Sequence, residues 1–452
     1  MASTYLSRTP ASAGNRKTWT FSAWIKRSKL SIVGSTILFG ANSSAGSNDE
    51  DAIAIEEANN PRFLLNNGSA SSIKPSRLLR DTSAWYHIVV AVDTTQATAS
   101  NRVKFYFNGE LETSFSQESY PSQNYDCKIN NNVPQGIGFI DDAAGGGNST
   151  YFDGSMAHVH FIDGTQYSAS DFGETDATTG IWKPITEPSV TYGTNGFFLK
   201  FENSGAMGTD SSGNSNNWTV NGTMTQNIDT PSNVFATMNP LDNFYFGATF
   251  SNGNLKVVTS ASIETFGTGT IGASSGKYYW EVKVTSASAY TNIGIASELS
   301  DSASNFLGEK ASTPNYMYDS GTGNSYTNGS GTSYGDTYTT NDIIGVALDL
   351  DNNRLFFSKN GTWQNSGDPT TSTGAITITD STSTPTGSYF PAVGDRHNDS
   401  ATLELNFGNG YFGTTAVSSA QNPDDGIGIF EYTPPTGYKA LCTKSINAQE
   451  YD

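Results

Sequence analysis

The sequence predicts an all-β protein built from two antiparallel β-sandwich domains of jelly-roll type in tandem. Three observations carry this prediction. The chain has 452 residues, too many for one ordinary core and suited to two or three domains. Charged residues make up only 15% while Gly alone numbers 46, joined by abundant Ser, Thr and Asn. That mixture disfavours helix and favours strands joined by tight turns. Aromatics reach 12%, with 22 Tyr, 25 Phe and 7 Trp. A disordered chain carries few aromatics, so packed cores are expected.

The charge balance narrows the partners. Lys and Arg total 24 against 43 Asp and Glu, a net charge of −19. Such a field repels phosphate backbones, so nucleic acid is not an expected partner. Cys127 and Cys442 are the only cysteines and lie far apart, so no disulfide framework is expected. The opening Met1–Pro10 lacks the apolar segment of a secretory signal. No stretch approaches the roughly 18 apolar residues of a membrane span, so no membrane insertion is expected. The sequon at Asn42-Ser43-Ser44 reads as loop composition.

The first block runs from Tyr5 to about Phe161. Trp19 to Ile25 alternates large and small, as a half-buried strand does. Thr36–Phe39 and Arg62–Leu65 are further strands, the second ending at Asn66-Asn67-Gly68. Trp85–Val92 is a continuous apolar run, and Arg102–Phe107 alternates before turning at Asn108-Gly109. After Phe161 come Asp171–Glu174 and Trp182-Lys183-Pro184. Gly196–Phe201 and the turn from Asp210 to Trp218 follow. The Gly196–Phe201 stretch reads as a strand near 196–202 that returns to complete the first sandwich.

The second block runs from Asn233 to about Tyr432. Its strands are expected at Lys277–Val282, Asn292–Ala296, Asp342–Asp349, Arg354–Lys359, Tyr389–Val393 and Leu403–Phe407. Past Tyr432, Pro434-Pro435 forbids helix and favours an extended path. The expected domains are therefore 1–228, 229–433 and an extended C-terminal tail, 434–452.

Three resemblances attach to these residues. Phe21–Lys26, Trp85–Val89 and Val103–Glu110 together resemble the laminin-G or concanavalin-A-like sandwich family. The series from Asn239-Pro240-Leu241 through Gly276–Val282, Asp342–Trp363 and Leu403–Gly408 resembles the SPRY domain family, which implies a bent β-sandwich binding ligands through loops. Three further features resemble structural proteins of marine bacteriophages: Tyr5–Pro10 with Trp24, the segment from Phe172 through Trp182 to Trp218, and Pro434–Leu441. This last resemblance implies a virion surface protein, made in the host cytoplasm and homo-oligomeric in the particle. It would be a tail-fibre-like appendage or a capsid decoration, partnered by other virion proteins or a host surface glycan.

Catalysis finds little support. Glycoside hydrolysis needs two carboxylates across a cleft. Asp49-Glu50-Asp51 reads as a solvated cluster, and Glu56-Glu57 ends an alternating stretch. Of the four histidines, His158 and His160 share one strand face, yet no Cys or Glu cluster stands beside them. The resemblance to laminin-G-like domains implies a possible Ca²⁺ at a loop rim, with Asp141 and Asp142 before a Gly run as candidates. Asp349–Asn353 is better explained as a strand end. The expected function is therefore non-enzymatic adhesion, with a glycan-degrading enzyme as the alternative of another class. Contact is expected from a Tyr-, Gly- and Ser-rich loop holding Tyr316, Tyr318, Tyr326, Tyr334 and Tyr338, with Trp363 and Asp395-Arg396-His397 beside it.

Overall fold

Strict alternation in Thr18–Arg27 sets the first unit's architecture. Trp19, Phe21, Ala23 and Ile25 enter the main core, while Ser22 and Trp24 go to the opposite face. This strand lies at the middle of a six-stranded sheet. Its order is Phe197–Leu199, Gly154–Asp163, Thr18–Arg27, Trp85–Asp93, Val103–Phe107, Glu110–Leu111. The computed structural model describes residues 4–32, 34–43, 49–66, 69–140, 149–311, 313–396 and 399–451. It divides into two units, Met1–Gln226 and Asn227–Asp452.

The first unit's second sheet has nine strands. Eight run in the order Phe115–Ser119, Ser71–Pro75, Pro61–Leu65, Asp51–Glu56, Ser35–Ala41, Gln135–Ile137, Tyr5–Arg8, Thr219–Asn221. The ninth, Ser149–Thr150, pairs in parallel with Ser35–Ala41. The core joins rings from both sheets: Phe21 stacks on Phe39 at 5.0 Å, and Trp19 meets Phe63 edge-on at 5.7 Å. Phe197–Leu199 pairs antiparallel with the Gly154–Asp163 strand of this unit. The Asn108-Gly109 turn has φ of 45° and 89°, the mirror-image hairpin turn that matches strand twist.

The second unit has the same layered plan. A nine-stranded sheet centres on Lys277–Ser286, Ile343–Asp349 and Arg354–Lys359. A six-stranded sheet runs Phe266–Thr268, Phe390–Asp395, Thr291–Ala296, Tyr316–Asp319, Asn324–Thr327, Ser330–Ser333. Its main core holds Trp280, Val282, Ile293, Ile295, Leu348, Phe357, Leu405 and Phe407.

The tail is a correction. Residues 434 onward were expected to run extended, but Lys439–Ala440 pairs in parallel with Lys277–Ser286 and Thr443–Tyr451 is an α-helix. Alternation explains the difference. Tyr438, Ala440 and Cys442 fall on one side and are buried with Phe235, Tyr279 and Phe356, while Leu441 enters the main core from the other. The prolines stop short of this run, so they do not forbid the helix that follows it. Cys127 and Cys442 are both free and buried.

Candidate ligand-binding rim

The expected tyrosine loop is mostly core. Tyr316 and Tyr318 lie on the inward side of their strand, and Tyr334 and Tyr338 join them in the same cluster. Each phenol oxygen finds a backbone partner. The Tyr338 hydroxyl donates to the carbonyls of Thr291 and Tyr318, both at 2.8 Å. The Tyr318 hydroxyl donates to the Asp336 carbonyl. The Tyr334 and Tyr316 oxygens accept from the N–H groups of Phe357 and Thr379, both at 2.9 Å. A tyrosine whose hydroxyl is paired buries as readily as a phenylalanine. The Tyr, Gly and Ser composition that reads as an adaptable surface is therefore turn chemistry around inward rings.

Tyr326 is the exception. Met317 faces Tyr326 across the sheet and lies on the opposite side from Tyr316 and Tyr318. There Tyr326 is half-buried, edge-on to Phe306 at 5.8 Å. The Arg396 guanidinium sits 4.7 Å from the Tyr326 ring centre, 4.8 Å from Tyr290 and 4.9 Å from Phe306. Three rings thus hold one planar cation. Asp319 stands beneath it, wholly buried, its Oδ2 at 3.7 Å from Arg396 Nη1. Asp319 is fixed in place by the Thr322 N–H at 2.9 Å, the Thr322 hydroxyl at 2.7 Å and the Asn292 amide at 3.3 Å. Arg396 keeps 23% of its side chain exposed, and its buried Nη1 makes no hydrogen bond.

The remaining candidates separate. Asp395, one residue before Arg396, is buried on the other side, with its Oδ2 accepting from the Thr259 hydroxyl at 3.4 Å. Trp363 pairs with Ser358 in the other sheet and meets Tyr279 at 6.4 Å, away from Arg396. His397, Asp141 and Asp142 lie outside the described residues. Sequence reasoning missed Tyr290, Phe306 and Asp319. Phe306 sits on the connection between Ala296 and Tyr316, where no periodicity marks it. A second solvent-facing apolar group, Leu241 at 59% and Phe244 at 88% exposure, lies on a separate connection.

The first unit carries an aromatic face of its own on the outer side of the six-stranded sheet. His87 stacks on Trp24 at 4.6 Å and is wholly buried. Trp182 Nε1 donates to His87 Nδ1 at 3.0 Å, and an indole N–H can only donate. The His87 proton is therefore on Nε2, where it is given to Ser22 Oγ at 2.9 Å. This pair is no serine nucleophile with its base, because the imidazole nitrogen facing the hydroxyl already carries the proton. Burial above all, with His158 nearby, pushes His87 down to about 3. His160 stacks on Phe198 at 3.9 Å and reaches the Tyr192 hydroxyl at 3.0 Å. Trp182 is seated so closely that a Cβ on Gly173 would come within 2.5 Å of its ring.

The acidic sets have structural partners. Glu56 is paired with Arg62 at 2.7 Å and with Lys74. Asp51 accepts the N–H groups of Asn66 and Lys128. Among the described residues, no group of three or more His, Cys, Asp or Glu could hold a metal ion. No helix among them is long and apolar enough to cross a membrane.

Comparison with known proteins agrees with both folds. Residues 277–410 match the SPRY domain, and residues 2–171 match the concanavalin A-like lectin/glucanases superfamily. Curated relatives include the Ran-binding proteins 9/10 homolog of Drosophila melanogaster and Ran-binding protein 9 of Homo sapiens. Each is 37% identical over 94 residues, 20% of this chain, and the match covers 10% and 12% of their respective lengths. The chain thus spans only a small part of these relatives. Solved structures include a human SPRY domain at 19% identity and TM-score 0.27, covering 35% of this chain and 93% of that one. The SPRY domain of human HERC1 matches at 16% identity and TM-score 0.27, covering 37% and 96%.

These relatives overturn the expected function. The matched curated proteins are Ran-binding proteins of animals, so the tail-fibre and capsid-decoration readings are withdrawn. The chain carries a concanavalin A-like β-sandwich followed by a SPRY domain.

Proposed function

We propose that this chain is a non-enzymatic protein-binding module and that its SPRY domain receives a partner segment at the Arg396 rim. One observation carries the reading: a guanidinium that solvent still reaches is clamped by three rings above a buried carboxylate. A clamped guanidinium offers fixed donors to a carboxylate or a backbone carbonyl at low entropic cost. Aromatic and Arg side chains together are the usual anchors of protein interfaces. The names of the curated relatives, Ran-binding proteins 9 and 10, favour a protein partner.

Two probes test the reading: purified Ran, taken from the relatives' names, and a displayed library of random peptides. Binding is measured by calorimetry or interferometry with wild-type protein, Arg396→Ala and Tyr326→Ala. A selected ligand should lose tenfold or more in affinity to each variant, about 1.4 kcal/mol. A ligand that binds all three equally would place recognition elsewhere on the domain.

A further inference from the structure

In the first unit, three side chains that together can form an amide converge at the end of the paired strands Asp51–Glu56 and Pro61–Leu65. Lys128 Nζ donates to Asn66 Oδ1 at 3.2 Å, across 62 residues of chain. The Asn66 carboxamide is oriented by its Nδ2, which donates to Ser69 Oγ at 2.6 Å. Asp51 lies between the two. Its Oδ1 accepts the Asn66 N–H at 2.8 Å, and its Oδ2 accepts the Lys128 N–H. The same Oδ1 is 4.0 Å from Lys128 Nζ. Asp51 has no exposed side-chain surface, and Lys128 retains 15%. One buried carboxyl therefore holds the backbones of both potential reactants and stands beside the amine.

We propose that Lys128 and Asn66 join spontaneously through an isopeptide bond, with Asp51 as the proton carrier. Lys128 Nζ gives a proton to Asp51, which leaves a neutral amine. The amine attacks Asn66 Cγ. The Nζ–Cγ bond forms, the Cγ–Nδ2 bond breaks, and Nδ2 departs as ammonium with the two protons that Nζ loses. No oxidant, metal or second substrate enters the balance. Burial is the chief cause that raises the Asp51 carboxyl above its ordinary value, which readies it to take a proton. Positioning supplies the rest, since Asp51 accepts the backbone N–H of both reactants and so fixes them side by side. Asp49 stands outside the mechanism, with its Oδ2 at 3.7 Å from Nζ.

The test is the mass of the full chain measured under denaturing conditions, followed by tryptic mapping. Wild-type protein should weigh one ammonia less than its sequence requires, and a branched peptide should link Asn66 to an uncleaved Lys128. Lys128→Arg, which keeps the charge and the ion pairs, should show neither feature. Asp51→Asn should also lack the branch, whereas Asp49→Asn should retain it. Wild-type protein at its full sequence mass would overturn the proposal. So would loss of ammonia that persists in Lys128→Arg, since that marks succinimide formation at an Asn-Gly site. A branch that survives in Asp51→Asn would remove Asp51 from the mechanism as stated.

Discussion

The two domains each place nitrogen-bearing side chains against aromatic rings on a sheet face, and they cover those faces differently. In the first domain, His87 lies between Trp24 and Trp182, and His160 lies against Phe198, Phe172 and Tyr192. The chain covers this face itself with Tyr167, Phe172, Trp182, Val190 and Tyr192. In the second domain, Arg396 lies against Tyr290, Phe306 and Tyr326, and solvent still reaches it. Coverage, more than composition, separates architecture from recognition here. A covered cluster contributes stability, whereas an open one can contribute affinity.

The sharpest way to break the comparison is pH. Burial pushes His87 down to about 3 and His158 to about 4, against an ordinary value of 6.5. Between those values the unfolded chain binds protons that the folded domain refuses. The histidine contribution is therefore complete above pH 6.5 and is lost as pH falls toward 3, with His87 alone accounting for on the order of 5 kcal/mol. Glu281 in the second domain runs the other way, because burial raises it from 4.5 to about 7. Its contribution is greatest below pH 4.5 and declines as pH rises through 7. Hydrogen exchange resolved by peptide, between pH 4.5 and 6.5, should show protection rising with pH in the first domain's central strands and falling around Glu281. Parallel trends in both domains would refute the contrast.

Trp182→Ala is the next largest effect. It removes the lid over His87, leaves Nδ1 without its donor and empties a slot bounded by Gly109 and Gly173. The expected loss is about 3 kcal/mol in denaturant unfolding of the first domain. A loss below about 1 kcal/mol would mean that the covering segment is only loosely seated.

Glu281→Gln should cost somewhat less, about 2 kcal/mol. Glu281 Oε1 accepts from the Tyr432 N–H at 2.8 Å and the Tyr279 hydroxyl at 3.1 Å. Its Oε2 accepts from the Glu431 N–H at 2.9 Å and the Asn406 amide at 3.2 Å. An amide group at either position would turn N–H toward a backbone N–H. The variant should also abolish the decline around pH 7, and retention of that decline would assign it to another group.

Strand positions were legible because period-two alternation is local. Thr18–Arg27, Ile343–Asp349 and Arg354–Lys359 differ by only a few residues from the expected segments, and the Asn360-Gly361 turn has the positive φ its residues favour. Which face of a strand meets solvent was not legible. Tyr318 and Tyr326 both belong to a stretch of Tyr, Gly, Ser and Asn, yet one is wholly buried and the other half-buried. That outcome depends on long-range register, with Met317 set opposite Tyr326, and on carbonyls that accept phenol protons. The Arg396 clamp was only partly legible for the same reason. Its rings come from positions 290, 306 and 326, and only folding brings them together.

The smallest expected effect on stability is also the one that most sharpens the contrast. Arg396→Ala removes a cation from three rings, but one face of the cluster already meets water. Asp319, although buried, keeps the Thr322 N–H, the Thr322 hydroxyl and the Asn292 amide as donors. The loss should therefore be about 1 kcal/mol in unfolding of the second domain. Arg396→Lys should restore the charge but not the planar stack, so stability should return toward wild type while ligand affinity does not. That split between stability and affinity is what an open recognition rim requires. If Arg396→Ala instead costs as much as Trp182→Ala, Arg396 is a structural pin like the first domain's tryptophan, and the second domain's binding surface must be sought elsewhere.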